Sequence, residues 1–486
     1  MCQQEHTHFT LWEVGRQRLE VTFDQGSLVS DAGLLAVRAL EKPLGILAEL
    51  AGRLPDPRSP KFVRHSAERI LTQQVYQVLA GYPDCNDADD LRHDALFQIL
   101  ADVAAEADQP LASGSTLARF QYAYTRKGDR PGQPEALLQS RAAQLARIKV
   151  FNDFLVDLYI RTRPTPPTQI ILDVDATDDP VYGGQALSGY HGYYRQHQYF
   201  PLLVFDGGTG LPLGCWLRPG TAHASLGAVD ILKAVVHRLR AAWPEVVITV
   251  RADNGLAVPA VFDFCEQERL LYAIGYAANA VLERAVACAT ADVELYYRFY
   301  GRCDPFVQRF ETVKDYQSGG WSHPRRVVAK IERSPQGSQR RFVVTNLSGH
   351  ASDVYKGFYV RRGAVPEQPI GELKNGLRAD RLSACGFCAN AFRLLVHVVA
   401  YAIFVLFREA NAAVPEVAHA AVSTLRQRLW KVPALVVSGA RRLVLRLSAA
   451  WPYREVWGRV LQAVGAFVGR LTGRPADGLG VAGLPM

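Results

Sequence analysis

Five short apolar runs between residues 169 and 275 constrain this chain more than any other feature of its 486 residues. Gln169-Ile-Ile-Leu-Asp-Val-Asp175 opens the series behind the proline-rich linker Arg161-Thr-Arg-Pro-Thr-Pro-Pro-Thr168. Tyr199–Phe205 and Leu213–Leu217 follow, joined by the turn Asp206-Gly-Gly-Thr-Gly210. The runs are short, apolar and bounded by Gly, Pro or Asp, which is the pattern of strands and tight turns. A helical stretch, Ala222–Ala242, leads to the strand Val246–Val250, and a second, Val258–Gln267, to the strand Leu271–Gly275. Strands joined by tight hairpins pair antiparallel, whereas strands joined through a helix can run parallel. The segment therefore predicts a mixed sheet with helices.

Two of these strands end in acids. Asp173 and Asp175 alternate onto one face of the first strand, and Asp253 ends the later one within Arg251-Ala-Asp253-Asn-Gly255. Three hairpin-linked strands followed by helix, strand, helix and strand is the order of a ribonuclease-H-like mixed sheet. In such a sheet the two acid-ended strands are neighbours, so Asp175 and Asp253 are expected close together. Two carboxylates about 4 Å apart repel by roughly 4 kcal/mol at an effective dielectric near 20. Hard oxygen ligands of this kind suit Mg²⁺ or Mn²⁺, which offset the repulsion. Taken singly, an acid at a strand end is an ordinary solvated turn residue.

The surrounding strings shift that reading. Asp175-Ala-Thr177 and Arg251-Ala-Asp253-Asn-Gly255, with a later Glu on a helix, resemble the DDE transposases of bacterial insertion sequences, and in particular the thirteen-eighty insertion-sequence family. Similar strings run along nearly the whole chain: Phe23–Leu35, Gly81–Asp94, Leu172–Pro180, Glu372–Ser383, Leu425–Lys431 and Ala440-Arg-Arg442. Each alone is weakly specific; their order and spacing together are specific. The resemblance implies an α/β fold, a ribonuclease-H-like mixed sheet core split by a β-rich insertion, with helical N- and C-terminal regions. On that scheme 1–160 is a helical DNA-binding and dimerisation region and 168–280 the first part of the core. Residues 281–350 are a β-strand insertion domain, 351–412 the C-terminal helical part of the core, and 413–486 a basic helical region.

The resemblance also implies a third acid. Related transposases carry a Tyr-x2-Arg-x3-Glu-x6-Lys signature; here Tyr359-x2-Arg362 and Glu367-x6-Lys374 fit, with four residues instead of three between Arg362 and Glu367. Seven residues apart on an α-helix, Glu367 and Lys374 lie within about 20° of each other, and Arg378 joins that face. Pro366 and Pro369 complicate the helix start, because proline suits only the first turn. A helix beginning after Pro369 would make Glu372 the first-turn acid instead; Glu367 is preferred. The implied site holds two Mg²⁺ or Mn²⁺ ions on Asp175, Asp253 and Glu367, with Tyr359, Arg362, Lys374 and Arg378 on the DNA phosphates.

Trp321, in Gly319-Gly-Trp321-Ser-His-Pro-Arg-Arg326, is the counterpart of a tryptophan that stacks on a flipped base in the resembling group. The alternative is a buried sheet aromatic. Arg119 stands one turn into a helix that opens at Ser113 with a hydroxyl cap, as recognition helices often do and ordinary ones also do. Net charge is +8, and between Ala421 and Arg470 nine basic residues face one acid, Glu455. Of these, Arg426, Arg428, Lys431, Arg441 and Arg442 are the expected DNA contacts of the tail, although a solvated helix face gives similar runs. The implied partners are double-stranded DNA, both terminal inverted repeats and target, and a second copy of the chain on that DNA. The implied activity is cut-and-paste transposition through a hairpin end intermediate; the rivals are an impaired or domesticated copy that binds repeats and regulates, and a structure-specific nuclease that never joins strands.

Other classes find little support. The first residues lack the basic and apolar regions of a signal peptide, and Leu394–Phe407, the longest uncharged apolar run, is short for a bilayer span and reads as a buried helix. The expected location is the bacterial cytoplasm, on the nucleoid when DNA is bound, with the eight cysteines reduced. Cys385-x-x-Cys388 lacks a second pair and reads as two thiols on a helix rather than a zinc site. No Gly-x-Ser-x-Gly elbow, P-loop or dinucleotide-binding glycine pattern follows a predicted strand.

Overall fold

The computed structural model describes residues 8–14, 17–22, 26–103, 109–123, 134–362, 367–439 and 441–473. Its centre is an eight-stranded mixed sheet. In spatial order the strands are Val307–Tyr316, Arg325–Ser334, Gly337–Thr345, Leu271–Tyr276, Val247–Ala252, Gln169–Ala176, Leu202–Asp206 and Pro212–Trp216. Gln169–Ala176, Val247–Ala252 and Leu271–Tyr276 are mutually parallel and all other neighbours antiparallel.

The parallel strands read as near-continuous apolar runs because both faces of the sheet are covered. The helix Ala228–Ala242 buries Ile231, Leu232, Val235, Val236 and Leu239, a stripe at helical spacing. Pro259 opens the helix Pro259–Gln267 at a position where its missing N–H costs nothing. In the turn between Leu202–Asp206 and Pro212–Trp216, the Asp206 carboxylate accepts from the Thr209 amide (2.9 Å) and hydroxyl (2.7 Å). Gly210 takes a φ of 74° there, which a side chain would strain.

The strands after residue 300 continue the central sheet: Gly337–Thr345 pairs with Leu271–Tyr276, Ala273 opposite Thr345. The apolar run around Leu394–Phe407 lies in the helix Phe387–Ala410, long and apolar enough to cross a membrane but wholly buried within the protein. It packs against Pro134–Arg161 and Ala67–Ala80. His397, fully enclosed, hydrogen-bonds the Arg393 carbonyl through Nδ1 (2.9 Å), and burial holds its pKa down at about 4.

Ahead of the helices of the N-terminal region, His8–Val14 and Gln17–Thr22 form a hairpin. Two expectations need correction. The basic tail contains the hairpin Ala434–Gly439/Arg442–Leu447, which also pairs with Leu28–Val29. Its period is two: Leu443, Leu445 and Leu447 alternate with Arg442, Val444 and Arg446, and that alternation outweighs a helical reading of the charges. Finally, Glu367, Lys374 and Arg378 do not share one α-helix. Glu367–Gly371 is one α-helical turn, Glu372–Gly376 is a π-helical turn, and the long helix begins only at Phe387.

Candidate active site

Parallel pairing aligns Val247 with Gln169 and continues to Ala252 opposite Val174. One step further, Asp253 stands beside Asp175 on strands about 4.8 Å apart. Alternation puts Asp173 and Asp175, and likewise Arg251 and Asp253, on the same face. Asp175 Oδ1 accepts from the Ala176 amide (3.0 Å), and Asp253 Oδ1 from the Gly255 amide (2.9 Å). The carboxylates are thus held by local backbone at the C-terminal ends of adjacent strands.

Beneath them lies a buried ion pair. Arg251 grips Asp173 as a fork, Nε to Oδ1 at 2.6 Å and a terminal nitrogen to Oδ2 at 2.7 Å. Its other terminal nitrogen donates to the Phe358 carbonyl (2.7 Å), and the guanidinium stacks 5.1 Å from the Phe358 ring. Burial raises the Asp173 carboxyl despite the hydrogen bonds and charge of Arg251. The pair pins the segment 353–362 to the sheet and so delivers Tyr359 and Arg362 to the acids.

Arg362 lies 3.2 Å from Asp175 Oδ2. The Tyr359 hydroxyl reaches over Gly275, where an added Cβ would stand 2.5 Å from it; glycine is needed for this approach. Burial raises the Tyr359 pKa, Arg362 opposes, and Asp253 and Asp175 reinforce, so all four groups share one field. Lys374 donates to Asp178 Oδ1 and to the Asp178 carbonyl, both at 2.8 Å, three residues beyond Asp175. Burial works to raise the Asp178 carboxyl, but Lys374, with Gln196, outweighs it and holds it below the ordinary range.

The Glu367 side chain lies outside the described residues. Its backbone is the first residue of the Glu367–Gly371 turn, so Pro369 falls within a first turn and does not exclude Glu367 from the helix. The face arithmetic linking Glu367 to Lys374 fails, because an i→i+5 turn intervenes. Glu372 is committed elsewhere: its Oε2 accepts from the Val422 amide (3.0 Å), capping the helix Val422–Leu425. Arg378 is exposed with a left-handed φ of 59°.

Trp321 departs from the exposed alternative. It is 6% exposed, edge-on to Phe262, Tyr276 and Tyr316 with centroids 5.4 Å away, and Arg325 lies 5.2 Å over its ring. Of the basic tail residues, Arg426 is turned inward, donating to the Leu79 and Gly376 carbonyls (both 3.0 Å). Lys431 lies 4.0 Å from Asp31 and 5.3 Å from the Tyr82 ring. Arg428, Arg441 and Arg442 are exposed, as is Arg119, whose helix Gly114–Gln121 has its first amide capped by Asp89 (3.1 Å) and not by the Ser113 hydroxyl.

A second acidic group escaped sequence reasoning. Asp263, Glu266 and His323 bring ligand atoms within 4.8 Å of one another. Arg325 sits among them, 2.6 Å from Asp263 Oδ1 and 2.8 Å from Glu266 Oε2, with its side chain 2% exposed. The guanidinium already supplies the positive charge that a metal would bring. Beside Asp175, Arg362 pairs at the longer distance of 3.2 Å, and the carboxylate oxygens of Asp175 and Asp253 are hard donors of the kind Mg²⁺ takes. Asp175 and Asp253 therefore fit a divalent cation, and the Asp263 group does not.

A large mixed sheet covered by helices thus presents two acids at the ends of neighbouring parallel strands beside a tyrosine and an arginine. The chain matches the family Transposase DDE domain group 1 over residues 12–467. It belongs to that family of transposases. No curated protein sequence matches it. Among solved structures it is similar to the piggyBac transposase synaptic complex with hairpin DNA, at 13% identity, a TM-score of 0.43, and coverage of 83% of this chain and 80% of the other.

Proposed function

We propose that the protein is a cut-and-paste DNA transposase of an insertion sequence, of the thirteen-eighty type, with a split ribonuclease-H-like core. The observation that carries this is the register placing Asp253 beside Asp175. Asp175 and Asp253, joined by Glu367, would hold two Mg²⁺ or Mn²⁺ ions. When bound, these supply Lewis-acid activation of water or a 3′-hydroxyl and stabilise the leaving oxygen. Arg362, already at the mouth of the acid pair, holds a phosphate oxygen by a charge-assisted hydrogen bond. The Tyr359 hydroxyl, kept protonated by burial and the acids, donates to the phosphate. Lys374 keeps the Thr177–Asp178 segment beside Asp175 in place and adds positive charge for the DNA backbone.

Two copies on two transposon ends, read by the N-terminal region and by exposed Arg119, Arg428, Arg441 and Arg442, complete the assembly; phosphate contacts of this kind weaken steeply with salt. A hairpin on the transposon end is part of the reading, but with Trp321 enclosed it leaves the flipped base to other residues. The test is a labelled transposon end incubated with protein and Mg²⁺. Strand cleavage followed by joining to target, both lost in Asp175→Asn and Asp253→Asn, supports the proposal. Binding without cleavage identifies a repeat-binding regulator, and cleavage without joining a nuclease.

A further inference from the structure

Between the strand that ends in Asp175 and the next core strand, the chain folds a small three-stranded sheet: Asp179–Pro180, Gln196–Tyr199 and Gly189–His191, with Gln196–Tyr199 in the middle. Its inner side is fastened to the body. Gln185 donates to the Leu382 carbonyl (2.7 Å), Asn390 to Gln185 Oε1 (2.9 Å), and the Ala186 amide to the Cys385 carbonyl (3.0 Å). Its outer side is unusual for a folded protein. Tyr182 is 90% exposed, Tyr193 83% and Tyr190 56%.

These rings are not loose ends. Tyr190 packs edge-on against His197 with centroids 5.7 Å apart, and Tyr193 against Tyr194 at 5.0 Å. Tyr194 in turn is braced by His191 (5.2 Å) and Phe200 (6.0 Å). Tyr194 links the platform to the acids: its hydroxyl is pushed up to about 12 by burial first, then by Asp178, Asp175, Tyr193 and Asp253. Arg195, exposed and in the left-handed region (φ 56°), stands next in the chain.

Wide-open aromatic rings beside a phosphodiester-cleaving acid pair call for a partner that offers flat π faces together with phosphate. Duplex DNA hides its base faces within the stack; unpaired bases at a melted or cleaved end present them. A protein partner fits less well, since Gly183, Gly184 and Gly192 interrupt the patch and Leu187 is its one large exposed aliphatic. We infer that the tyrosine face of residues 182–194 is a stacking platform for unpaired DNA bases next to the scissile phosphodiester, with Arg195 on the backbone. This rests on the transposase reading for its place in the reaction, and it gives the flipped-base role to Tyr190 and Tyr193 in place of the enclosed Trp321.

The test uses the full chain in EDTA, so that no cleavage is needed. The probe is a short oligo-deoxythymidylate carrying one 5-iodouracil, free or annealed to oligo-deoxyadenylate. Near-ultraviolet crosslinks of the single strand are expected on Tyr182, Tyr190 or Tyr193, mapped by mass spectrometry. Tyr190→Ala with Tyr193→Ala is expected to weaken single-strand binding about tenfold or more. The duplex affinity stays unchanged, and the matching Phe substitutions retain binding. Crosslinks confined to other regions, or full single-strand affinity in the Ala variant, overturn the inference. Because cleavage is never read, crosslinking that persists in a protein unable to cut transposon ends would sink the transposase reading alone. Active cleavage without platform crosslinks would sink only the platform.

Discussion

The two places where acids converge in this molecule look alike as residue lists and behave differently as structures. Around Asp263 and Glu266, Arg325 is driven into the centre, buried, and bonded to both carboxylates. Its guanidinium also caps the rings of Phe262 and Trp321 at 5.3 and 5.2 Å. Around Asp175 and Asp253 the acids are presented by strand ends, and the buried arginine of that region, Arg251, is spent one layer below on Asp173. The difference teaches that two acids bridged by one buried guanidinium form a structural lock, whereas acids at strand ends with a longer arginine contact keep the hard-oxygen donors a cation needs. The Asp263 cluster locks the turn that encloses Trp321; at Asp175 the arginine contact is single and longer, 3.2 Å.

The sharpest way to break that comparison is to remove one charge at each place. Asp175→Asn or Asp253→Asn should lower DNA strand cleavage by on the order of 10³-fold while the circular dichroism spectrum is retained. Glu266→Gln should keep cleavage within a few-fold of wild type, and equal losses at both places would erase the distinction.

The next effect is on stability. Arg325→Met strands two carboxylates that are 34% and 23% exposed. The loss should be roughly 2–4 kcal/mol in urea unfolding, the buried-pair figure reduced for that exposure. The Ser322 hydroxyl, then Arg325, lowers the Asp263 pKa; for Glu266, burial is outweighed by Arg325 and Tyr272, and its pKa too is lowered. Groups with depressed folded values stabilise above their unfolded pKa and lose that contribution as pH falls through the folded one. The Arg325→Met penalty should therefore be full at neutral pH and fade below the ordinary carboxylate range. A penalty that grows on acidification would contradict the pairing.

A smaller effect separates the two places by metal. Mg²⁺ at ten times its dissociation constant should stabilise the wild-type protein by about 1.4 kcal/mol, read as a shift of the thermal midpoint. The shift should vanish in Asp175→Asn and persist in Glu266→Gln; the reverse would move the metal centre to the Asp263 cluster. Smallest of all, Glu372→Gln should cost about 1 kcal/mol through its cap on the Val422 amide and leave cleavage intact, whereas Glu367→Gln should abolish cleavage. Normal cleavage by Glu367→Gln alongside a dead Glu372→Gln would reverse that assignment.

Much of the catalytic half was legible before the structure because it is local. Apolar runs ending in Asp175 and Asp253, with helices between strands, follow from period and punctuation, and hairpin and crossover geometry makes those strands neighbours. Arg362 at Asp175 was legible only through resemblance. The hairpin Ala434–Gly439/Arg442–Leu447 was hidden by its charges, although its alternation was there to read. Arg426 read as a DNA contact because sequence shows a charge and not the two carbonyls that surround it. The tyrosine sheet was missed because its aromatics look like core strand residues until their exposure is known.

Sequence alone determined the five core strands between 169 and 275, which of them end in carboxylates, and therefore where a phosphoryl-transfer centre can form, since side-chain alternation and chain connectivity are local properties. Tertiary structure alone decided which charges are already answered. Arg325 closes one acidic group and Trp321 with it, while Arg251 is used on Asp173 and Asp175 meets Arg362 at 3.2 Å. Whether a cation lies within a few ångströms of a carboxylate depends on how distant parts of the chain pack, and the energy of a charge depends on that distance and on the water left around it.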